Sequence, residues 1–213
     1  GTALAIAATA LKPDYDNAAK VSYYKHFNDS YLILPYCPTA GIVLKWFKDE
    51  FCHREVDESN ARGKSVYELL DSLAEGVKAG SNGLVLLPDF AGKLTSEINP
   101  YAKGVFFGVS LDTKKEHFVR AILESIGYML RENLELLEGL GICIKQVRSL
   151  GGGSKSKLWN TIKADVTGKD IAVMENEEAT SLGAAMMGAL SIGLYKNMTD
   201  IYKKTDKIKE LYK

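Results

Sequence analysis

The 213-residue chain has 46% hydrophobic content, enough to bury a sizeable core as one large domain or two small ones. Lys plus Arg and Asp plus Glu each total 27, so the formal net charge is zero, which excludes a nucleic-acid binder that works through bulk positive charge. Three cysteines (Cys37, Cys52, Cys143) and three histidines (His26, His53, His117) are scattered without paired spacing and offer no metal-ligand pattern; Cys37 and Cys52 read as ordinary intracellular thiols.

The chain starts without methionine at Gly1-Thr2, inside an apolar strand pattern over 2–10, as expected for a piece of a longer protein. That apolar run is too short for a membrane span and lacks the flanks of a signal peptide, so a cytoplasmic protein with no membrane partner is expected. Pro13, Asp14, Asp16 and Asn17 supply a turn, a tyrosine-rich alternation covers 21–27, Asn28-Asp29 turns again, and Tyr31-Leu32-Ile33-Leu34 makes a third strand. Short strands joined by tight turns predict an antiparallel meander. From Thr39 the period becomes helical: Ile42, Leu44, Trp46, Phe47 and Phe51 share a face, with Thr39 as N-cap and Gly41 near the start.

Arg62-Gly63-Lys64-Ser65 imitates the end of a Walker phosphate loop, but Glu58 stands where its first glycine belongs and no strand leads in, so that loop is rejected. Ser65-Val66-Tyr67-Glu68 has capping-box spacing and opens a helix with Val66, Leu69, Leu70, Leu73 and Val77 inward. A buried strand over 83–88 and a loop-rich stretch over 89–112 follow. Thr113-Lys114-Lys115-Glu116 is a second capping box; it starts the longest helix, His117 to about Glu138, which Gly139 and Gly141 end.

The alternating run Ile142-Cys143-Ile144-Lys145-Gln146-Val147 predicts a strand over 142–149 with Cys143 in the core. It leads into Gly151-Gly152-Gly153-Ser154-Lys155-Ser156 and a helix over 156–167. Three glycines at a strand-to-helix junction leave the backbone bare, and the helix start turns unpaired N–H groups and a positive dipole end to the same place, which suits a phosphate. Ile171-Ala172-Val173 is a short strand, and 177–194 a helix of small residues. Three antiparallel strands, helices, then helix–strand–helix–strand–helix predict an α/β layered domain with a mixed sheet. A Rossmann dehydrogenase fits this order poorly, because the glycines are contiguous, Ser156 occupies the third glycine's place and the chain opens antiparallel. A glycine-rich turn without a ligand is the bland alternative.

Taken in order, Leu87-Pro88-Asp89-Phe90-Ala91-Gly92, Gly104-x-Phe106-x-Gly108-Val109 with His117-Phe118-x-x-Ala121-Ile122-Leu123-Glu124, the glycine loop with Leu158-Trp159 and Ala164-Asp165-Val166-Thr167-Gly168, and Glu178-Ala179-Thr180-Ser181-Leu182-Gly183-Ala184-Ala185 form a pattern. It resembles the C-terminal domain of the FGGY carbohydrate kinases, within the actin-like, ribonuclease H-like ATPase superfamily, and is most similar to the xylulose kinase branch. The resemblance implies an α/β domain over 1–213, with three antiparallel strands plus parallel strands in a mixed sheet flanked by helices. It implies the nucleotide-binding half of an ATP-dependent sugar kinase using ATP and Mg²⁺, whose sugar substrate is gripped by an N-terminal domain outside this chain. Self-association as a homodimer stays open among the partners, with no nucleic acid and no membrane. A nucleotide-binding switch or scaffold without sugar chemistry is the alternative within the same superfamily.

Residue by residue, the resemblance puts Gly1 and Thr2 in a phosphate loop, where the Thr2 hydroxyl and main-chain N–H groups hold terminal phosphates. Gly41 and Lys45 align with residues lining the nucleotide site. Gly151, Gly152 and Gly153 would lie along the adenosine, with Ser156 near the base where relatives often carry asparagine. The family's catalytic base is an aspartate in a segment before the glycine-threonine loop, so none of Asp14, Asp16 or Asp165 is assigned to it. Glu124 and His117 are read as structural.

Overall fold

The structure, a computed structural model, describes residues 2–12, 21–27, 29–94 and 98–213. The chain divides into two compact units, Gly1–Ile144 and Lys145–Lys213. The expected turn over 13–17 lies outside the described residues.

In the first unit, β1 (Leu4–Ala5), β2 (Ala8–Ala10), β3 (Ser22–Lys25), β4 (Tyr31–Leu34) and β5 (Tyr36–Cys37) are all short. They do not form the expected meander. The order is β2-β4-β3, antiparallel throughout, so the third strand is central. The cause is apolar content: β4 is Tyr-Leu-Ile-Leu with Ile33 buried, whereas β3 (Ser-Tyr-Tyr-Lys) is largely exposed and suits an edge. β1 and β5 carry the same pairing onward, Leu4 opposite Cys37 and Ala8 opposite Ile33. Between them Pro35 lacks an N–H to give, but its carbonyl accepts from Ile6 N at 3.1 Å.

α1 (Gly41–Phe51) follows as expected, but Thr39 is not its cap: Ala40 is the cap residue, and the Thr39 hydroxyl donates to the Pro88 carbonyl instead. The charged stretch after it folds as α2 (His53–Arg62), which Gly63 closes in a left-handed conformation, φ 60°. Gly63 is therefore a helix terminator, in keeping with the rejected phosphate loop. α3 (Val66–Glu75) begins after Ser65, yet no Ser65 side-chain cap bond forms. Leu70 and Ala74 face inward, while Leu73, expected inside, is exposed.

The loop-rich stretch contains a strand that its sequence hid: β6 (Val85–Leu87) pairs antiparallel with β7 (Val105–Phe107). The fixed glycines around β7 are matters of space. A Cβ on Gly104 would lie 2.3 Å from the Phe90 ring, and one on Gly108 (φ +88°) 2.3 Å from the Gly83 carbonyl oxygen. α4 (Lys115–Gly139) is the longest helix, and it buries Val119, Ile122, Leu123, Ile126, Leu130, Leu134 and Leu137. Phe118 stacks on Phe47 at 5.8 Å and meets Phe106 edge-on at 5.1 Å, tying α1, β7 and α4 together.

The structural reading of Glu124 holds. Its buried carboxylate accepts from Arg120 Nε (2.7 Å), Ser81 Oγ (3.0 Å) and Gly80 N (3.1 Å). It thereby fastens four consecutive left-handed residues, Gly80, Ser81, Asn82 and Gly83, with φ of 88°, 48°, 55° and 84°. His117 also acts structurally: its Nδ1 accepts from Lys114 N at 3.0 Å at the start of α4.

In the second unit, β8 (Gln146–Ser149) runs parallel to β9 (Asp170–Met174), and β10 (Ile208–Tyr212) pairs antiparallel on the other side of β9. This is a mixed sheet, separate from the antiparallel trio of the first unit. α5 (Lys157–Thr167), α6 (Ala179–Ser191) and α7 (Met198–Thr205) complete it. α5 buries Trp159, Asn160, Ile162 and Ala164, and β9 buries residues 171–174. The strand expected over 142–149 is confined to its second half, which leaves Cys143 in a connection and exposed; Cys37 and Cys52 are the buried thiols. The tail after 196, outside the recognised motifs, supplies α7 and the edge strand β10.

Candidate functional site

In the first unit the expected phosphate-loop residue meets the expected helix. Gly1 lies outside the described residues. Thr2 is exposed, and its carbonyl accepts from Ala40 N (3.0 Å) and Ile42 N (3.3 Å), the N–H groups on either side of Gly41. Segments far apart in the chain are thus fastened main chain to main chain at the N-terminus of α1, where the positive dipole end lies; the Ala40, Ile42 and Val43 N–H groups are already engaged there. Lys45, one turn along, is exposed and pairs with Asp49 Oδ2 at 2.5 Å. That hydrogen bond raises the Lys45 pKa above its usual value.

In the second unit the glycine loop links β8 to α5. Gly151 has φ 75°, ψ −172°, and residues Gly152–Lys155 form a single 3₁₀ turn closed by Ser154 N on the Gly151 carbonyl at 3.0 Å. Nothing stands within 4 Å of the positions where a Cβ would project from Gly151 or Gly152. The main chain there is open to a ligand. Gly153 is different, because a Cβ on it would sit 3.1 Å from the Trp159 ring, which floors the loop. Ser156 is the N-cap of α5; its hydroxyl oxygen accepts from Trp159 N at 2.9 Å. This leaves its proton and one further lone pair for a ligand.

Two residues of this loop's support were not singled out from sequence. Asn160, fully buried, donates to the Ser154 carbonyl at 2.7 Å and accepts from Ser149 Oγ at 3.3 Å. Lys163 reaches Asn160 Oδ1 (3.2 Å), Ser149 Oγ (3.4 Å) and the Gly153 carbonyl (3.5 Å), with its ammonium 4.9 Å from the centre of the Trp159 ring. Burial pushes its pKa down to about 8. The signal was present in the spacing: Trp159 and Lys163 are four apart, so a lysine stands on the inward stripe of α5.

A groove of about 740 Å³ in the first unit is lined by none of the expected site residues; it lies among Leu73, Lys78, the 80–83 loop, Glu116 and His117. Among the described residues no group of three or more His, Cys, Asp and Glu converges to hold a metal. Asp165 is exposed on α5, and nothing places it as a base. No helix among the described residues is long and apolar enough to cross a membrane.

Residues 6–192 match the model of the C-terminal domain of the FGGY family of carbohydrate kinases. The chain belongs to that family. The match includes Gly41, Lys45, the glycine loop and Ser156; Thr2 precedes it. The chain is 32% identical over 194 residues to a gluconokinase of Bacillus subtilis, covering 91% of this chain and 38% of that protein. It is 29% identical over 201 residues to a xylulose kinase of the same species, covering 94% and 38%. The crystal structure of xylulose kinase from Rhodospirillum rubrum superposes with a TM-score of 0.78 at 28% identity, over 91% of this chain and 37% of that one. The fold is the α/β actin-like ATPase fold expected from the motifs. This FGGY chain spans well under half the length of these curated relatives, and their names divide between two sugar substrates at similar identity, so the xylulose branch is not singled out.

Proposed function

We infer that this chain, over its whole length, is the nucleotide-binding portion of an ATP-dependent carbohydrate kinase that transfers the γ-phosphoryl group to a sugar hydroxyl. The observation that carries the reading is the bare main chain at Gly151 and Gly152, open on its outer side, floored by Trp159 and set at the capped start of α5 in a member of a kinase family. Adenosine is a flat ligand that needs such close backbone approach. Thr2 and the N-terminus of α1 are assigned to the phosphates, where an exposed hydroxyl and the positive dipole end suit oxygen acceptors. Lys45, one turn further along α1, is assigned to the same phosphates and would exchange Asp49 for a phosphate oxygen. Mg²⁺ would arrive with the nucleotide, held by phosphate oxygens and water, since the described residues offer no carboxylate cage. The acceptor is a polyhydroxylated sugar or sugar acid; xylulose, yielding xylulose 5-phosphate, is the first candidate and gluconate the second. No base is assigned within this chain, whose setting is cytoplasmic.

Isothermal titration of the 213-residue chain with ADP and ATP tests this, alongside Gly152→Val. Because the space at Gly152 is open, the variant should melt with the parent yet lose nucleotide binding. No binding by the parent, or unchanged binding by the variant, removes the loop from the site. Robust phosphorylation of xylulose by this chain alone would overturn the assignment of the base elsewhere. ATP hydrolysis unaffected by any sugar in the longer protein would favour the switch reading.

A further inference from the structure

Among the described residues, the cation beneath the glycine loop has no counter-ion. Acidic groups on the neighbouring elements are engaged elsewhere: Glu177 with Lys155 (2.8 Å), Glu210 with Lys157 (3.8 Å), Asp206 with Arg148 (2.7 Å) and Glu175 with Lys207 (3.9 Å). Neither Asp165 on α5 nor Asp170 at the start of β9 pairs with Lys163. Tyr212 on β10, its phenol pushed up to about 12 by burial and by Glu210, is neutral at physiological pH and touches Asn160. Lys163 therefore faces three uncharged oxygens and an indole ring. Its contacts, 3.2–3.5 Å, are long for hydrogen bonds, as fits one ammonium shared among several acceptors.

A half-buried lysine whose ammonium end meets no carboxylate among the described residues costs stability, and Met or Leu would fill the same inward place on α5 at less cost. Its geometry shows what the charge does. One contact holds the Gly153 carbonyl, and another holds Asn160, which itself holds the Ser154 carbonyl. These contacts fix two carbonyls of the 3₁₀ turn, whose first N–H groups have no partner inside it.

We propose that Lys163 is a positioning residue: its ammonium clamps the glycine loop through the Gly153 carbonyl and sets a positive charge beneath the surface assigned to the adenosine, where its field also favours the anionic phosphate chain that the adenosine carries. The part concerning the ligand rests on the nucleotide-binding reading above; the clamp does not. A bound polyanion would hold the proton on Lys163, so affinity falls as the free protein loses that proton. If binding restores about one unit of the depressed pKa, affinity drops about tenfold as the pH rises through that range.

Carbon-detected NMR of the ligand-free full chain, following the Gly153 carbonyl from pH 7 to pH 10, tests the clamp. The expected result is a titration near the depressed pKa of Lys163, abolished in Lys163→Met. Titration calorimetry with ADP tests the charge: the parent should weaken about tenfold over the same range, while Lys163→Met binds weakly with a flat profile. Lys163→Arg, which keeps a cation, should restore neutral-pH affinity and move the alkaline limb out of range. A Gly153 carbonyl that shifts only in the ordinary lysine range overturns the clamp, and so does a folded Lys163→Met with the parent's affinity and pH profile. If Gly153 titrates as expected while no nucleotide binds, the clamp stands and the nucleotide reading falls.

Discussion

Replacing Glu124 by alanine tests whether one buried carboxylate organises the first unit. The substitution leaves the Arg120 guanidinium, whose side chain is 11% exposed, without its partner at 2.7 Å. It also strips the acceptor from Ser81 Oγ and Gly80 N, both drawn into the left-handed run. Breaking a buried pair by removing one partner costs about 3–5 kcal/mol. At about 2–4 °C per kcal/mol for a unit of this size, the melting temperature should fall by roughly 10 °C. Glu124→Gln keeps an acceptor but no charge and should lie between the two. The two tryptophans give a clean assay, since Trp46 belongs to the first unit and Trp159 to the second. A fluorescence melt of Trp46 in a Trp159→Phe background reports the first unit alone. A Glu124→Ala melt within about 2 °C of the parent would show that the carboxylate does not hold the loop.

Gly108→Ala meets both a left-handed φ and the Gly83 carbonyl at 2.3 Å, so it should unfold the first unit at temperatures where Gly63→Ala, with open space around it, loses only about 1 kcal/mol; parallel thermal melts compare them. Ser156→Ala should cost the second unit about 1 kcal/mol by removing the α5 cap, whereas Ser156→Asn keeps a capping oxygen and should melt with the parent, as read by Trp159 fluorescence. Burial opposes ionisation of Glu55, but two contacts from Lys115 Nζ, at 2.8 and 2.9 Å, hold its carboxyl below the usual range. The unfolded chain therefore binds this proton first, and the contribution, full above the unfolded pKa, is lost as the pH falls through the folded value; denaturant midpoints from pH 7 to pH 3 should show this limb weakened in Lys115→Met.

Helices α3 and α4, strands β6 and β9 and the glycine loop were legible because periodicity and turn chemistry are local. What sequence missed depended on partners far along the chain. Thr39 looks like an N-cap until Pro88 is found beside its hydroxyl, and β4 takes the centre of its sheet because of burial that no turn signal reports. β7 was hidden because its three residues count as a strand only once β6 lies opposite. The motif around Gly104 and Gly108 identified the family, although both glycines serve packing within the first unit, against Phe90 and Gly83. Lys163 illustrates the opposite failure: a lysine on the inward stripe reads as noise in an amphipathic pattern, and only the burial of its ammonium end beneath Gly153 gives it meaning.

The left-handed run has a chemical consequence for the protein's shelf life. Asn82-Gly83 is the dipeptide in which an asparagine side chain cyclises most readily onto the next main-chain nitrogen, since glycine offers no side chain to hinder the attack. Here that nitrogen is occupied: Gly83 N donates to the Gly80 carbonyl at 2.7 Å, and Asn82 is held at φ 55°, ψ 35°. Ring closure has to wait until the turn opens, and the turn is fastened from the other side by Glu124. Peptide mapping of aged samples should therefore find little isoaspartate at position 82 in the parent and much more in Arg120→Leu, whose clasp is broken. Equal rates in the two would mean that the turn opens freely. Deamidation at this one asparagine then becomes a slow clock, recording over weeks how often α4 lets go of the loop.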